Sequence, residues 1–379
     1  MPVCSGNAPR VPRSGVRGRL SGCRGLEPDG RAVNCRASLR SSGMGVDFIL
    51  HITRPMAGGF ILAFHEIPPE RFMAFVNALH RYRAVSLDEI VERQKRGRPT
   101  RGLFAITVDD GVGENVRALA GAMMEKGWPG TFYLPTGYID TGIPMPFQWL
   151  RAIEPLLPAR KIELKSGTID LSRPGSKPAL WRAMEHLWRR TAPGSYVPLI
   201  MELVEVAARE HDLAPNDIGA PAPITWAEVE RLSRSDLISF ESHGVSHTAV
   251  SGLTEREIEW ELGHSARTIS EHTGRRCRHF CYPFGCATSI GALAPAIAAR
   301  CYDSAVTMYM GSVDGANPWM LPRIPLYPKN SMLFAGLKML LKCTPLRAAV
   351  PYRSLPQGLP LPADPGGGQA SASSASTAT

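Results

Sequence analysis

The chain reads as an α/β protein whose strands make a parallel barrel or barrel-like sheet carrying a helical insertion. Three observations predict this. Short apolar runs recur from residue 60 to residue 326; amphipathic helices with explicit start and stop signals separate many of them; and ionisable residues follow directly on several run ends. Length alone does not choose between two domains and one large barrel, and the 44% apolar content is ordinary for a globular chain with a sizeable core.

Phe60–Phe64 (FILAF) is a buried-strand pattern. Ser86, with Glu89 three residues on, opens a helix as a capping box, and Gly97 closes it. Leu103–Val108 (LFAITV) is the second strand. The helix after it places Val116, Leu119, Ala120, Met123 and Met124 on one face and ends at Gly127. Thr131–Leu134 is a third strand, Leu237–Phe240 a fourth, and Phe280–Pro283, Ser304–Met308 and Leu321–Leu326 complete seven. Two further capping boxes, Thr225 with Glu228 and Thr254 with Glu257, start the helices flanking the fourth strand. Residues 150–223, proline-rich and with helical patterns around Leu180–Arg190 and Val197–Glu210, interrupt the alternation and read as an insertion that caps or flanks the barrel.

The domain plan is therefore a basic extension over 1–57, a barrel over 58–345 and a tail over 346–379. The net charge of +9 belongs mostly to the extension, where residues 1–43 hold eight Arg against Glu27 and Asp29. The small excess on the body argues against a nucleic-acid partner. The extension has no apolar core of a secretory signal; it reads as disordered, as an organellar leader, or, preferred of the three, as sequence upstream of a start at Met44 or Met56. The tail is low in complexity. No run approaches the ~18 apolar residues of a membrane span. Met332–Leu341, with Lys338 within it and Lys342 after it, reads as a last packed helix, with peripheral membrane contact as the rival reading. Of eight cysteines, three lie in the extension and Cys277, Cys281, Cys286 and Cys301 cluster late without paired CxxC spacing, so they read as reduced thiols. That usage and the lack of an export signal point to the cytoplasm.

The chemistry sits after strands. FILAF runs into His65 and Glu66, LFAITV into Asp109 and Asp110, and LISF through Glu241 and Ser242 into His243, with His247 four residues on. In a parallel barrel such ends share one face. Two imidazoles and a carboxylate make a three-ligand set with open positions, as hydrolytic metal sites require; His243 and His247 reach one ion if the turn between them is helical. Neighbouring strand residues face opposite ways, and Gly111 permits the departure that would bring both aspartates to the mouth.

These segments resemble the polysaccharide deacetylase (NodB homology) family. TVDDG at 107–111 is similar to its TFDDG motif, SHGVSH at 242–247 to its HTxxH motif with Gly244 in the hydroxyl position, and FCYPFG at 280–285 to its FxYPxG motif. FHEI at 64–67 and LPRI at 321–324 match flanking segments, so the likeness runs from Phe60 to Pro328. The resemblance implies a distorted seven-stranded (β/α) barrel and hydrolysis of acetyl groups on a glycan. It also implies one divalent ion, zinc first and cobalt or nickel otherwise, on Asp110, His243 and His247. Asp109 would be the base and the Phe284 backbone N–H the oxyanion donor. Relatives often work in the cell envelope. Cys281 stands where many carry an Arg that orients the base, and Arg323 is the substitute expected from another strand end. The family's LxH acid has no counterpart, and His65 is the substitute there. Of the nearby aromatics Tyr282, Trp149, Trp226 and Trp319, most read as core. A non-catalytic carbohydrate-binding barrel and a small-molecule amidase are the rival functions.

Overall fold

A computed structural model describes residues 58–343 except 166 and 192; the extension over 1–57, residues 344 and 345, and the tail over 346–379 lie outside the described residues. The strands are β1 (Phe60–Phe64), β2 (Arg83–Ala84), β3 (Leu103–Val108), β4 (Gly130–Leu134), β5 (Lys161–Leu164), β6 (Gly167–Asp170), β7 (Ile238–Ser242), β8 (His279–Cys281), β9 (Ser304–Val306) and β10 (Ile324–Pro325). Eight of them form one parallel sheet in the order β10-β1-β3-β4-β7-β8-β9, with β2 added beside β3. A parallel bridge from Leu321, just before β10, to Val306 on β9 links the two edges. The sheet is thus a distorted (β/α) barrel. The two-residue β2 lies beyond the seven expected strands, and the last three strands are shorter than their apolar runs.

Strand alternation sorts the side chains into two layers. Phe60, Leu62, Phe64, Phe104, Ile106, Val108, Phe132 and Phe280 pack outward under the helices. Ile61, Ala105, Tyr133, Cys281 and Val306 form the inner cluster. The helix Gly113–Lys126 buries Val116, Leu119, Ala120 and Met123 and stops at left-handed Gly127 (φ 67°). The boxes at Thr225 and Thr254 close in both directions. At Ser86 only half a box forms, since the Glu89 carboxylate turns instead to Arg83 (2.6 Å) and Arg93 (2.9 Å).

Residues 146–218 build their own small core around Leu150, Ile153, Ile162, Leu180, Met184, Trp188, Ile200 and Leu203. Its helices are Pro146–Ile153, Ser176–Trp188 and Pro193–Glu210. The antiparallel hairpin β5–β6 sits among them. The insertion expected to be helical therefore also contains a two-stranded element.

Candidate metal-centred active site

Inward parity places the first group of functional residues. His65 continues the series Ile61–Ala63, Asp109 the series Ala105–Thr107, and His243 the series Ser239–Glu241. The ladder extends past the strands: the Asp109 N–H donates to Phe64 O (2.9 Å) and the His243 N–H to Leu134 O (2.9 Å). Asp110 has the wrong parity. It reaches the site because the backbone turns left-handed at Asp110 itself (φ 74°) as well as at Gly111 (φ 63°), so the departure begins one residue before the glycine. His247 (φ 55°) and Phe284 (φ 60°) are also left-handed, leaving Asp212 as the fourth such non-glycine residue among those described. Strained backbone thus gathers at the corners of this site.

Asp110 Oδ1 lies 3.5 Å from His243 Nε2 and 3.4 Å from His247 Nε2. All three ligand atoms fall within 4.8 Å of one another, on buried residues. Donors about 2.1 Å from a tetrahedral ion stand ~3.4 Å apart, so the spacing fits a divalent ion on one oxygen and two nitrogens. His243 Nδ1 lies 2.7 Å from the Cys281 carbonyl. A carbonyl only accepts, so Nδ1 carries a proton, and Nε2 is the nitrogen that faces Asp110 and would bind an ion. The turn from His243 to His247 is a loop and not helical. Gly244 (φ 79°) starts it, and Glu261 holds it: one carboxylate oxygen accepts from the Val245 N–H (2.7 Å) and Ser246 N–H (3.1 Å), the other from the Ser246 hydroxyl (2.5 Å). A second donor group, Asp109, His243 and Cys281, is equally compact. It suits a cation poorly, because a guanidinium already occupies it.

That guanidinium is Arg323, fully buried, whose two terminal nitrogens donate to the two oxygens of Asp109 at 2.7 Å each. Its remaining donors go to Thr307 O (3.0 Å), Thr107 Oγ1 (3.0 Å) and Cys281 Sγ (3.1 Å). Burial raises the Asp109 pKa, but the Arg323 charge and hydrogen bonds outweigh it and hold the carboxylate below its usual range. Asp110 is likewise raised by burial and brought well below its usual range by hydrogen bonds from His243 and His247. His65 Nε2 stands 3.7 Å from Asp109 Oδ2, and its ring stacks on Tyr327. The Phe284 N–H has no acceptor among the described residues.

These groups line a cleft of about 640 Å³. The insertion supplies its far wall: Phe147, Arg151, Trp181, Glu185, Trp188 and Arg189. None of these was singled out from sequence. Of Tyr282, Trp149, Trp226 and Trp319, Tyr282 alone lines the cleft. Trp149 packs in the insertion core, Trp226 stacks on His272 (4.1 Å), and Trp319 donates to Tyr302 O (3.0 Å).

The parallel barrel thus carries at its strand ends two imidazoles and a carboxylate that could hold a metal ion, beside a clamped second carboxylate. Residues 96–294, over half of the chain, match the family described as polysaccharide deacetylase. The chain belongs to the polysaccharide deacetylase family, a family of hydrolases. Among solved structures it is similar to Streptococcus pyogenes deacetylase PplD in complex with acetate, at 15% identity and TM-score 0.48, over 76% of this chain and 100% of that one. It is similar also to IcaB from Ammonifex degensii, at 15% identity and TM-score 0.47, over 74% and 97%. A third is the polysaccharide deacetylase BA0330 from Bacillus anthracis, at 13% and 0.47, over 75% and 69%. No curated protein sequence matches the chain.

Proposed function

We propose that the chain is a divalent-metal-dependent deacetylase that hydrolyses the N-acetyl or O-acetyl group of a polysaccharide or oligosaccharide. The observation that carries this reading is the set of donor spacings around Asp110 Oδ1, 3.5 and 3.4 Å to the two imidazoles, beside a carboxylate that Arg323 keeps ionised. A divalent ion held by Asp110, His243 and His247, zinc first and cobalt or nickel otherwise, would supply Lewis acidity toward a water and the acetyl carbonyl.

The chain's own residues do the rest. Asp109, ionised and oriented by its bidentate clamp, takes the proton of the attacking water. The Phe284 N–H donates to the carbonyl oxygen as negative charge builds there. For an N-acetyl substrate, protonated His65 gives its Nε2 proton to the departing nitrogen. The new C–O bond forms, the C–N bond breaks, and acetate and an amine remain. Proton exchange with solvent then restores the Asp109 carboxylate and the His65 proton to close the cycle. The aromatic wall of Phe147, Trp181 and Trp188 offers apolar faces to a sugar ring.

The test is acetate release from chitooligosaccharides, peptidoglycan and acetylated exopolysaccharide, with the metal content of the purified chain measured alongside. Chelation is expected to abolish release and zinc to restore it. Asp109→Asn is expected to keep the metal while losing turnover, and Asp110→Asn to lose both. Bound metal with no acetate released from any glycan would return the protein to the carbohydrate-binding or small-molecule amidase reading.

A further inference from the structure

The helix Met332–Cys343 is apolar on the wrong side. Its inner face packs on the barrel through Ala335 and Met339, both buried. Its outer face presents Leu333, Phe334 and Leu337, exposed at 57%, 50% and 42%. A packed surface helix normally turns polar residues to water, and one that is apolar on both faces has a second apolar neighbour. No carboxylate occurs between Asp314 and Asp364, a span that holds Lys329, Lys338, Lys342, Arg347 and Arg353 besides the buried Arg323. Lys338 follows the pattern of an interfacial lysine: its Nζ lies 5.2 Å over the Phe334 ring and 5.6 Å over Tyr327 and donates to Pro325 O, with no carboxylate bound. The apolar patch adjoins the site, since Tyr327 and Pro328 form part of the cleft lining.

We infer that this face docks on an anionic phospholipid bilayer and sets the mouth of the cleft against the membrane surface. Leu333, Phe334 and Leu337 enter the acyl boundary, and Lys329 and Lys338 meet the anionic headgroups. Membrane-borne glycans would then lie within reach of the site. The docking itself is independent of the deacetylase reading, because its readout is vesicle binding.

The experiment sediments the full chain with phosphatidylcholine vesicles prepared with and without phosphatidylglycerol. The chain is expected to pellet with the anionic vesicles and to be released by salt. The triple variant Leu333→Ser/Phe334→Ser/Leu337→Ser is expected to partition at least about tenfold less. Its near-ultraviolet circular dichroism and unfolding midpoint should match the parent, since the three side chains are exposed. Lys329→Glu should weaken binding to anionic vesicles alone. The inference is overturned if the parent stays in the supernatant or if the triple variant binds equally. It is also overturned if the parent is a dimer that the triple variant converts to monomer, which would make a second copy the partner of this face.

Discussion

Arg323→Ala tests the electrostatic core of the site. All five guanidinium donors are engaged, and the side chain is fully buried against an Asp109 that is itself 2% exposed. Its removal leaves a carboxylate in a water-poor barrel with neither of its two charge-assisted bonds. Breaking one half of a buried pair costs about 3–5 kcal/mol. Asp109 can escape part of that cost only by taking a proton, which removes it as a base. At about 1.4 kcal/mol per decade, the lower bound predicts more than roughly a hundredfold loss of turnover. Denaturant unfolding reads the first effect and acetate release the second. Asp109→Asn/Arg323→Ala carries no stranded charge and should be more stable than Arg323→Ala alone. Cys281→Arg/Arg323→Ala should recover activity, because Cys281 Sγ lies 3.5 Å from Asp109 Oδ2. If Arg323→Ala loses less than about 1 kcal/mol and keeps turnover within a few-fold, the carboxylate does not depend on this clamp.

Glu261→Gln keeps the shape of the side chain but surrenders the charge that holds Val245 and Ser246. Metal affinity should drop tenfold or more in a competition titration, with folding largely intact; a change under twofold would mean that the loop is held otherwise. Gly285→Ala puts a Cβ 2.6 Å from the Met308 backbone nitrogen at φ 58°, so unfolding should show a loss well above 1 kcal/mol, and a silent substitution would contradict the described turn. Leu203→Ala empties a fully buried position in the insertion core and should cost about 2–5 kcal/mol. Because Trp188 shares that core and lines the cleft, KM for a glycan should rise more than kcat falls, and unchanged kinetics would separate the insertion from binding.

What could be read from the chain follows from how local each signal is. Capping boxes, apolar runs and strand-end acids are local, and the parity rule alone sets His65, Asp109 and His243 on one interior. The backbone reversal at Asp110 was legible only as a need, because Asp tolerates a left-handed conformation and gives little sequence mark of adopting it. Glu261 left a trace that could have been used. It stands in the apolar stripe Ile258, Glu261, Leu262, Ser265 and Ile269, where a charge requires a buried partner. The hairpin β5–β6 was also marked, by the alternation of KIEL and GTID, but the prolines and the helical patterns around Leu180–Arg190 and Val197–Glu210 set the reading of this segment.

The far wall of the cleft was less accessible for a different reason. Trp181, Glu185, Trp188 and Arg189 share one helix face, which periodicity shows, but which neighbour that face meets depends on how the insertion docks. That docking rests on long-range contacts such as Arg189 to Cys286 Sγ (3.0 Å) and the Arg189 guanidinium over the Phe284 ring (5.4 Å). Both link the insertion to the β8 corner that positions the Phe284 N–H. The wall facing the substrate and the donor facing the acetyl oxygen are therefore mechanically joined. Changes in the insertion should alter the geometry of the reacting centre as well as the grip on the sugar.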